Sequence, residues 1–187
     1  MSLAAAIVAL RSHLGRFARQ SDGVSAIEFA LVLPFMLLMY IGSVELGDGL
    51  AIEFKVTETA RTVTDLASQQ LSIDPAAMTG ILGASQKIVA PYPPTNMVMT
   101  LSEVATNAQG QGTITWSCSL NGTAHPIGAA VTLPVALQTA NISLLWGEVT
   151  YPYTPQLGYV ITGTVNIYEN AYFYPRLVTS VPLPQGC

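Results

Sequence analysis

The chain has 187 residues, of which 50% are hydrophobic and only 10% charged, with a net charge of -4 and a mean hydropathy of +0.44. Ordinary soluble domains carry about 25% charged residues. The length allows one domain plus an anchor, and the acidic balance without a basic patch argues against nucleic-acid binding.

The charges sort by position. Arg11, Arg16 and Arg19 precede a long apolar run with only Asp22 against them. After it come Glu45, Asp48, Glu53, Glu58 and Asp65 against Lys55 and Arg61. By the positive-inside rule the N-terminus stays cytoplasmic and the rest is exported. Residues Leu3 to Leu10 are apolar but too short to span a bilayer. The charged part follows that short piece and no Ala-x-Ala site closes the long run, so this is not an ordinary secretory signal.

Val24 to Val44 is a run of 21 residues with one charge, Glu28. About 20 apolar residues cross the hydrocarbon core, so one pass is expected. Acids inside such a segment are costly and usually functional. Pro34 lacks an N–H and crowds the carbonyl four residues back, so a kink or local loosening is expected there. Gly42-Ser43 and Gly47-Asp48-Gly49 mark the exit from the membrane and a weak point in the helix. From Leu50 to Gln70 the pattern is helical again, with a modest face of Phe54, Ala60, Arg61, Val63, Asp65, Leu66 and Ala67. Glu58 and Arg61 have the spacing of a helical ion pair. One helix over 24–68 is the reading, membranous in its first half and packed on a head in its second.

Asp74-Pro75 signals a helix start, and a short helix through about Lys87 follows. Pro91, Pro93 and Pro94 break the chain. Asn96–Thr106 and Thr113–Leu120 alternate as strands around a turn at 108–112, which predicts a hairpin. Asn121-Gly122 is a second turn. Val131–Ala140 is ambiguous, Leu144–Tyr153 reads as a strand, and Tyr159–Ile167 alternates weakly. The tail from Tyr172 to Cys187 is proline-rich and extended. The aromatics Tyr151, Tyr153, Tyr159, Tyr168, Tyr172, Phe173 and Tyr174 are expected mainly to fill a sheet core, with an exposed sticky face as the alternative. Cys118 and Cys187 both lie in the exported part, where an even count reads as one disulfide, the alternative being two unrelated thiols.

No catalytic constellation stands out. His13 precedes the apolar run and His125 sits beside a proline in a turn, without a metal-ligand spacing. Gly110-x-Gly112 is a turn with no following helix or lysine, so it is not a phosphate loop. No cofactor is expected.

The glycine at Gly23, five residues before Glu28 at the head of an apolar helix and behind basic residues, resembles the type IV prepilin processing site. The fuller string Gly23-x-x-Ala26-Ile27-Glu28-Phe29-Ala30-Leu31-Val32-Leu33-Pro34 is similar to the N-terminal signature of the TadE-like family. Those are minor pilins (pseudopilins) of the tight-adherence, or Flp, pilus systems of bacteria. Trp116-Ser117-Cys118, Val149-x-Tyr151-x-Tyr153-x-Pro155, Tyr174-Pro175-Arg176 and the final Cys187 resemble later features of that family. TadE-like and TadF-like roles are not separable by these motifs.

The resemblance implies a fold and a role. The fold is α+β: a long N-terminal helix, the pilin spine, carrying a small antiparallel-sheet head closed by one disulfide. The expected organisation is a leader at 1–23, a transmembrane helix at 24–44, its periplasmic continuation at 45–71 and the head at 72–187. A prepilin peptidase would cut Gly23-Val24, and Glu28, Phe29 and Pro34 would serve assembly. Glu28 would pair with the new amine of Val24, in its own chain or a neighbour's. Implied partners are the peptidase, another minor pilin, the major pilin and the inner-membrane assembly platform. The implied location is the bacterial inner membrane, with a cytoplasmic N-terminus and periplasmic head, or the extracellular pilus. The rival is a membrane-anchored periplasmic binding module that keeps its leader.

Overall fold

A computed structural model of the chain describes residues 22–155, 158, 162–183 and 187. The expected leader residues before Asp22, with Tyr159 and the first part of the weak strand expected at 159–167, lie outside the described residues.

Helix α1 (Asp22–Ser68) has 47 residues and at 1.5 Å per residue is about 70 Å long. It runs through Pro34, Gly42, Gly47 and Gly49 without an interruption, so the glycines expected to mark a weak point are helical. Its two halves meet different surroundings. Between Gly23 and Tyr40 nearly every residue is exposed. From Ile52 onward Ile52, Val56, Thr59, Ala60, Val63, Thr64, Ala67 and Ser68 form one buried stripe, at the three- and four-residue steps that share a helix face.

That stripe corrects the expected one. Ala60, Val63 and Ala67 belong to it, but Phe54 is 74% exposed and Arg61 is exposed. The true face is built on small and β-branched residues that a scan for large hydrophobics passes over. Glu58 and Arg61 form no ion pair among the described residues. Both are exposed, where holding two long side chains together offsets most of the Coulomb gain.

Helix α2 (Pro75–Ser85) begins as expected: Asp74 accepts the N–H of Ala77 on its Oδ1 at 2.7 Å, with proline in the first turn. It buries Met78, Ile81, Leu82 and Ser85, and a 3-10 turn at Gln86–Val89 continues it. Five antiparallel strands follow: β1 (Val98–Thr106), β2 (Gly112–Leu120), β3 (Ala130–Val131), β4 (Ser143–Tyr153) and β5 (Val165–Phe173). Their order across the sheet is β3-β2-β1-β4-β5. The β1–β2 hairpin is the expected one, its turn held by Asn107, whose Oδ1 accepts the N–H groups of Gln109 and Gln111, each at 2.9 Å. Asn121 makes the second turn at φ 60°, with its side-chain amide donating to the Met97 carbonyl at 2.9 Å.

The ambiguous stretch after Val131 contains only the end of β3 and a 3-10 turn at Val135–Leu137. Pro152 sits inside β4 at no cost to the ladder: β1 ends opposite Thr150, so β4 has outrun its neighbour on that side. The last strand is displaced from its expected place. β5 spans Val165–Phe173, so Tyr172 and Phe173 are strand rather than tail. Tyrosines on its outer face and Glu169 on its inner face blur the apolar alternation that would have revealed it.

The main core lies between the sheet, the buried stripe of α1, and α2. A close approach of helix to strand is at Gly147 on β4. A Cβ built there would stand 2.0 Å from Thr64 Oγ1, 3.1 Å from Val63 Cγ1 and 3.2 Å from the Ala60 carbonyl oxygen. Glycine is therefore what lets the helix backbone come down on the strand. A smaller cluster of Val104, Ile114, Leu133 and Leu144 sits on the opposite, outer face.

The tail is anchored at successive points. The Arg176 N–H donates to the Ser68 carbonyl at 2.9 Å, closing the end of α1, and its guanidinium pairs with Asp65. At Val181 the N–H donates to Glu103 Oε1 and the carbonyl accepts Trp116 Nε1–H, both at 2.8 Å. Finally Cys187 is bonded to Cys118 on β2, 69 residues away in sequence.

Two outcomes test this packing. Gly147→Ala should destabilise the chain by about 1–3 kcal/mol through overpacking, measured by urea unfolding in detergent. Adding Thr64→Ala should recover part of the loss, because the nearest obstacle is then gone. Cys187→Ser should cost about 4 kcal/mol by the loop-entropy model. The same unfolding curves check it, against the wild-type chain under reducing conditions.

Candidate functional site

The first candidate is the exposed half of α1. The helix contains a segment long and apolar enough to cross a membrane, and none of that segment is buried against the rest of the protein. Phe29 is 59% exposed and Phe35 70%. An apolar helix bare on every side finds its partner in lipid or in other helices.

Gly23 and Val24 open this segment. Both are exposed, and apart from its chain neighbours and the helix's own backbone nothing lies within 4 Å of where a Cβ on Gly23 would stand. The Gly23-Val24 bond lies in the first turn of α1, so a protease must unwind that turn to take the backbone extended. Glu28 is exposed and is the only charged residue between Gly23 and Val44. In a helix, positions four apart are neighbours on one face, which puts the Glu28 carboxylate one turn above the Val24 nitrogen. Phe29 is the neighbouring exposed side chain, and Pro34 lies a turn and a half further along the unbroken helix. Lacking an N–H, Pro34 leaves the Ala30 carbonyl without its helical donor.

The second candidate is on the outer face of the sheet, where the sequence pointed to Tyr168 and Tyr172 but not to Trp146, Glu148 or His125. Trp146 of β4 stands opposite Tyr172 of β5, and Glu148 opposite Asn170. The ring of His125 stacks on Trp146 with centroids 5.0 Å apart, and Trp146 stacks on Tyr172 at 5.8 Å. Glu148 is the hub: its Oε2 lies 2.5 Å from His125 Nε2, and its Oε1 accepts the Tyr168 hydroxyl at 2.8 Å. Burial, then the bond to Glu148 and its charge, push the Tyr168 phenol well above its ordinary value, so the hydroxyl stays a donor. The His125 N–H donates to Ser117 Oγ at 3.0 Å, and Ser102 Oγ donates to the same oxygen at 2.8 Å. Together these contacts clasp the 121–128 loop to the sheet. The sequence held one clue, the alternation of Trp146 and Glu148 with β4 residues of the core. Linking them to His125 required the strand register.

The later motifs gather around the head's closure. Trp116 and Arg176 hold the tail, Cys118 and Cys187 bond it, and Tyr151, Tyr153 and Pro155 are buried. Of the remaining aromatics, Phe173 packs on the main core and Tyr172 on the outer cluster, whereas Tyr168 and Tyr174 are about half exposed. The aromatics thus divide between core positions and half-exposed ones. Among the described residues no group of three or more His, Cys, Asp or Glu is placed to hold a metal.

Comparison with known proteins bears on the first candidate. No curated protein and no solved structure matches the chain. The family model described as TadE-like protein matches residues 23–65, which begins at Gly23 and covers most of α1. Over residues 23–65 the chain is similar to that family, and the likeness suggests involvement in a tight-adherence pilus system.

Proposed function

We propose that this protein is a minor pilin (pseudopilin) required for assembly of a tight-adherence pilus, made with a leader that a prepilin peptidase removes between Gly23 and Val24. The observation that carries the reading is the division of α1: a bare apolar half headed by Gly23 and Glu28, and a half buried in the head. The protein acts as a structural subunit, not an enzyme. It sits in the bacterial inner membrane with its N-terminus cytoplasmic and its head periplasmic, or joins the pilus. There it supports pilus biogenesis and surface adhesion with another minor pilin, the major pilin and the assembly platform.

The chemistry of the anchor follows from its low-dielectric surroundings. Cleavage would turn the Val24 nitrogen into a free amine one helical turn from Glu28. Opposite charges attract strongly in such a medium, and either one left alone is costly. In a neighbouring copy the same pair fixes one axial register between helices. Phe29 supplies exposed apolar surface beside it, and Pro34 is the place where the helix can loosen on leaving the bilayer.

The deciding experiment is the N-terminal residue of the protein from membrane fractions, with and without the peptidase. A start at Val24 that depends on the peptidase is expected; an uncut chain in both would point to an anchored binding module. Glu28→Gln should still be cut but should lower pilus number, counted by electron microscopy. Normal piliation in that variant would remove Glu28 from the assembly role.

A further inference from the structure

Strand β5 is the outer strand of the sheet beside β4. Nine residues long, it holds neither proline nor lysine, two residues that commonly protect an exposed edge. Among the described residues, every backbone hydrogen bond of β5 runs to β4.

In an L-chain, the face a side chain takes and the direction of the strand together fix the side to which the N–H points. In β1, Thr106 lies with Val104 toward the outer face and donates its N–H across to the Ile142 carbonyl on the β4 side, at 2.8 Å. β5 runs in the same direction as β1, since both are antiparallel to β4. Its outer-face residues Asn166, Tyr168, Asn170 and Tyr172 therefore point their N–H and C=O groups the same way, which from β5 is away from the sheet. Asn166, Tyr168 and Asn170 are exposed.

We propose that this edge of β5 is a docking site for an extended segment of a different polypeptide, one that carries a basic residue opposite Glu169. Charge selects that occupant. Glu169 faces the α1 side, half-buried, and makes no hydrogen bond or ion pair among the described residues. If a second copy paired its own β5 antiparallel, the longest ladder that matches the outward groups has its two-fold axis at Glu169, and axes at Tyr168 or Asn170 match them over fewer residues. In the longest ladder two Glu169 residues would oppose each other in a non-hydrogen-bonded pair with Cα atoms about 4.5 Å apart, and like charges so placed are destabilising. A Lys or Arg at that position turns the same contact favourable. β-branched or aromatic residues opposite Tyr168 and Tyr172 would extend the aromatic row on the outer face. This site goes beyond the pilus reading and stands whether or not the leader is cut.

The test uses the full chain in lipid nanodiscs and two nine-residue Thr/Val-alternating peptides, one with Lys and one with Glu at its centre. Amide hydrogen exchange is read at Asn166, Tyr168, Asn170 and Tyr172. The Lys peptide should slow exchange at these amides by about tenfold or more, and the Glu peptide should leave them unchanged. Glu169→Lys should reverse the preference. Asn170→Pro should keep the disulfide and the melting temperature, because its N–H points outward, yet lose the protection. Four results would overturn the proposal: outward amides already protected in the free monomer, protection that rises with the chain's own concentration, equal response to both peptides, or unfolding by Asn170→Pro.

Discussion

One contact governs the architecture: α1 comes down on β4 at Gly147, with Thr64, Val63 and the Ala60 carbonyl against a residue that has no side chain. A helix can approach a sheet this closely only where both partners are small, and Ala60, Thr64, Ala67 and Ser68 supply the helix side. Thr64 spends its hydroxyl on the Ala60 carbonyl at 2.7 Å, so the small face carries no unmet polar group into the core. The packing leaves the first half of the same helix without any head to cover it. Core and anchor are thus consequences of one helix whose side chains change character along its length.

The tail closes what the helix begins. Glu103 is 2% exposed, and a buried carboxylate is tolerable only with donors around it. It has two, the Thr115 hydroxyl and the Val181 N–H, each at 2.8 Å. Trp116 satisfies its indole N–H on the carbonyl of that same Val181. Both backbone groups of one tail residue are therefore held by neighbouring strands, and Pro182 accepts the Ile73 N–H from the segment between the helices. The disulfide beyond this point secures a segment that hydrogen bonds have already aligned.

Much of this was legible in the sequence, for identifiable reasons. Helix α1 announces itself by length and hydropathy, α2 by Asp74-Pro75, and the β1–β2 hairpin by alternation around a glycine-rich turn. These are local signals. β5 was misplaced because its outer face carries tyrosines and its inner face a glutamate, so its apolar period of two is weak. The buried stripe of α1 was only half seen because alanine, threonine and serine bury as readily as phenylalanine when the facing residue is glycine. The His125–Glu148–Tyr168 clasp was invisible because its members lie on a loop and two strands, and no local spacing relates them. The outer-face cluster was hidden similarly, by the extra residue at the β1–β2 irregularity, which turns Ile114 and Trp116 to opposite faces.

The low charge of the head acquires a physical meaning from these contacts. After Thr79 the only charged residues are Lys87, Glu103, Glu148, Glu169 and Arg176. Glu103 holds the tail, Glu148 holds the 121–128 loop, and Arg176 closes α1. Charges engaged inside a fold contribute little to its solvation, so the outer surface is left to uncharged polar and aromatic groups. Such a surface lacks the mutual repulsion that keeps soluble domains apart. Tethering the head to a membrane by α1 restricts where it can meet other proteins, and a surface of this kind is suited to close packing among fixed neighbours. In that setting the half-buried charge of Glu169 on an open strand does more than solvate: it penalises an identical neighbour and favours a basic one, which is how a sparsely charged subunit can still choose its partner.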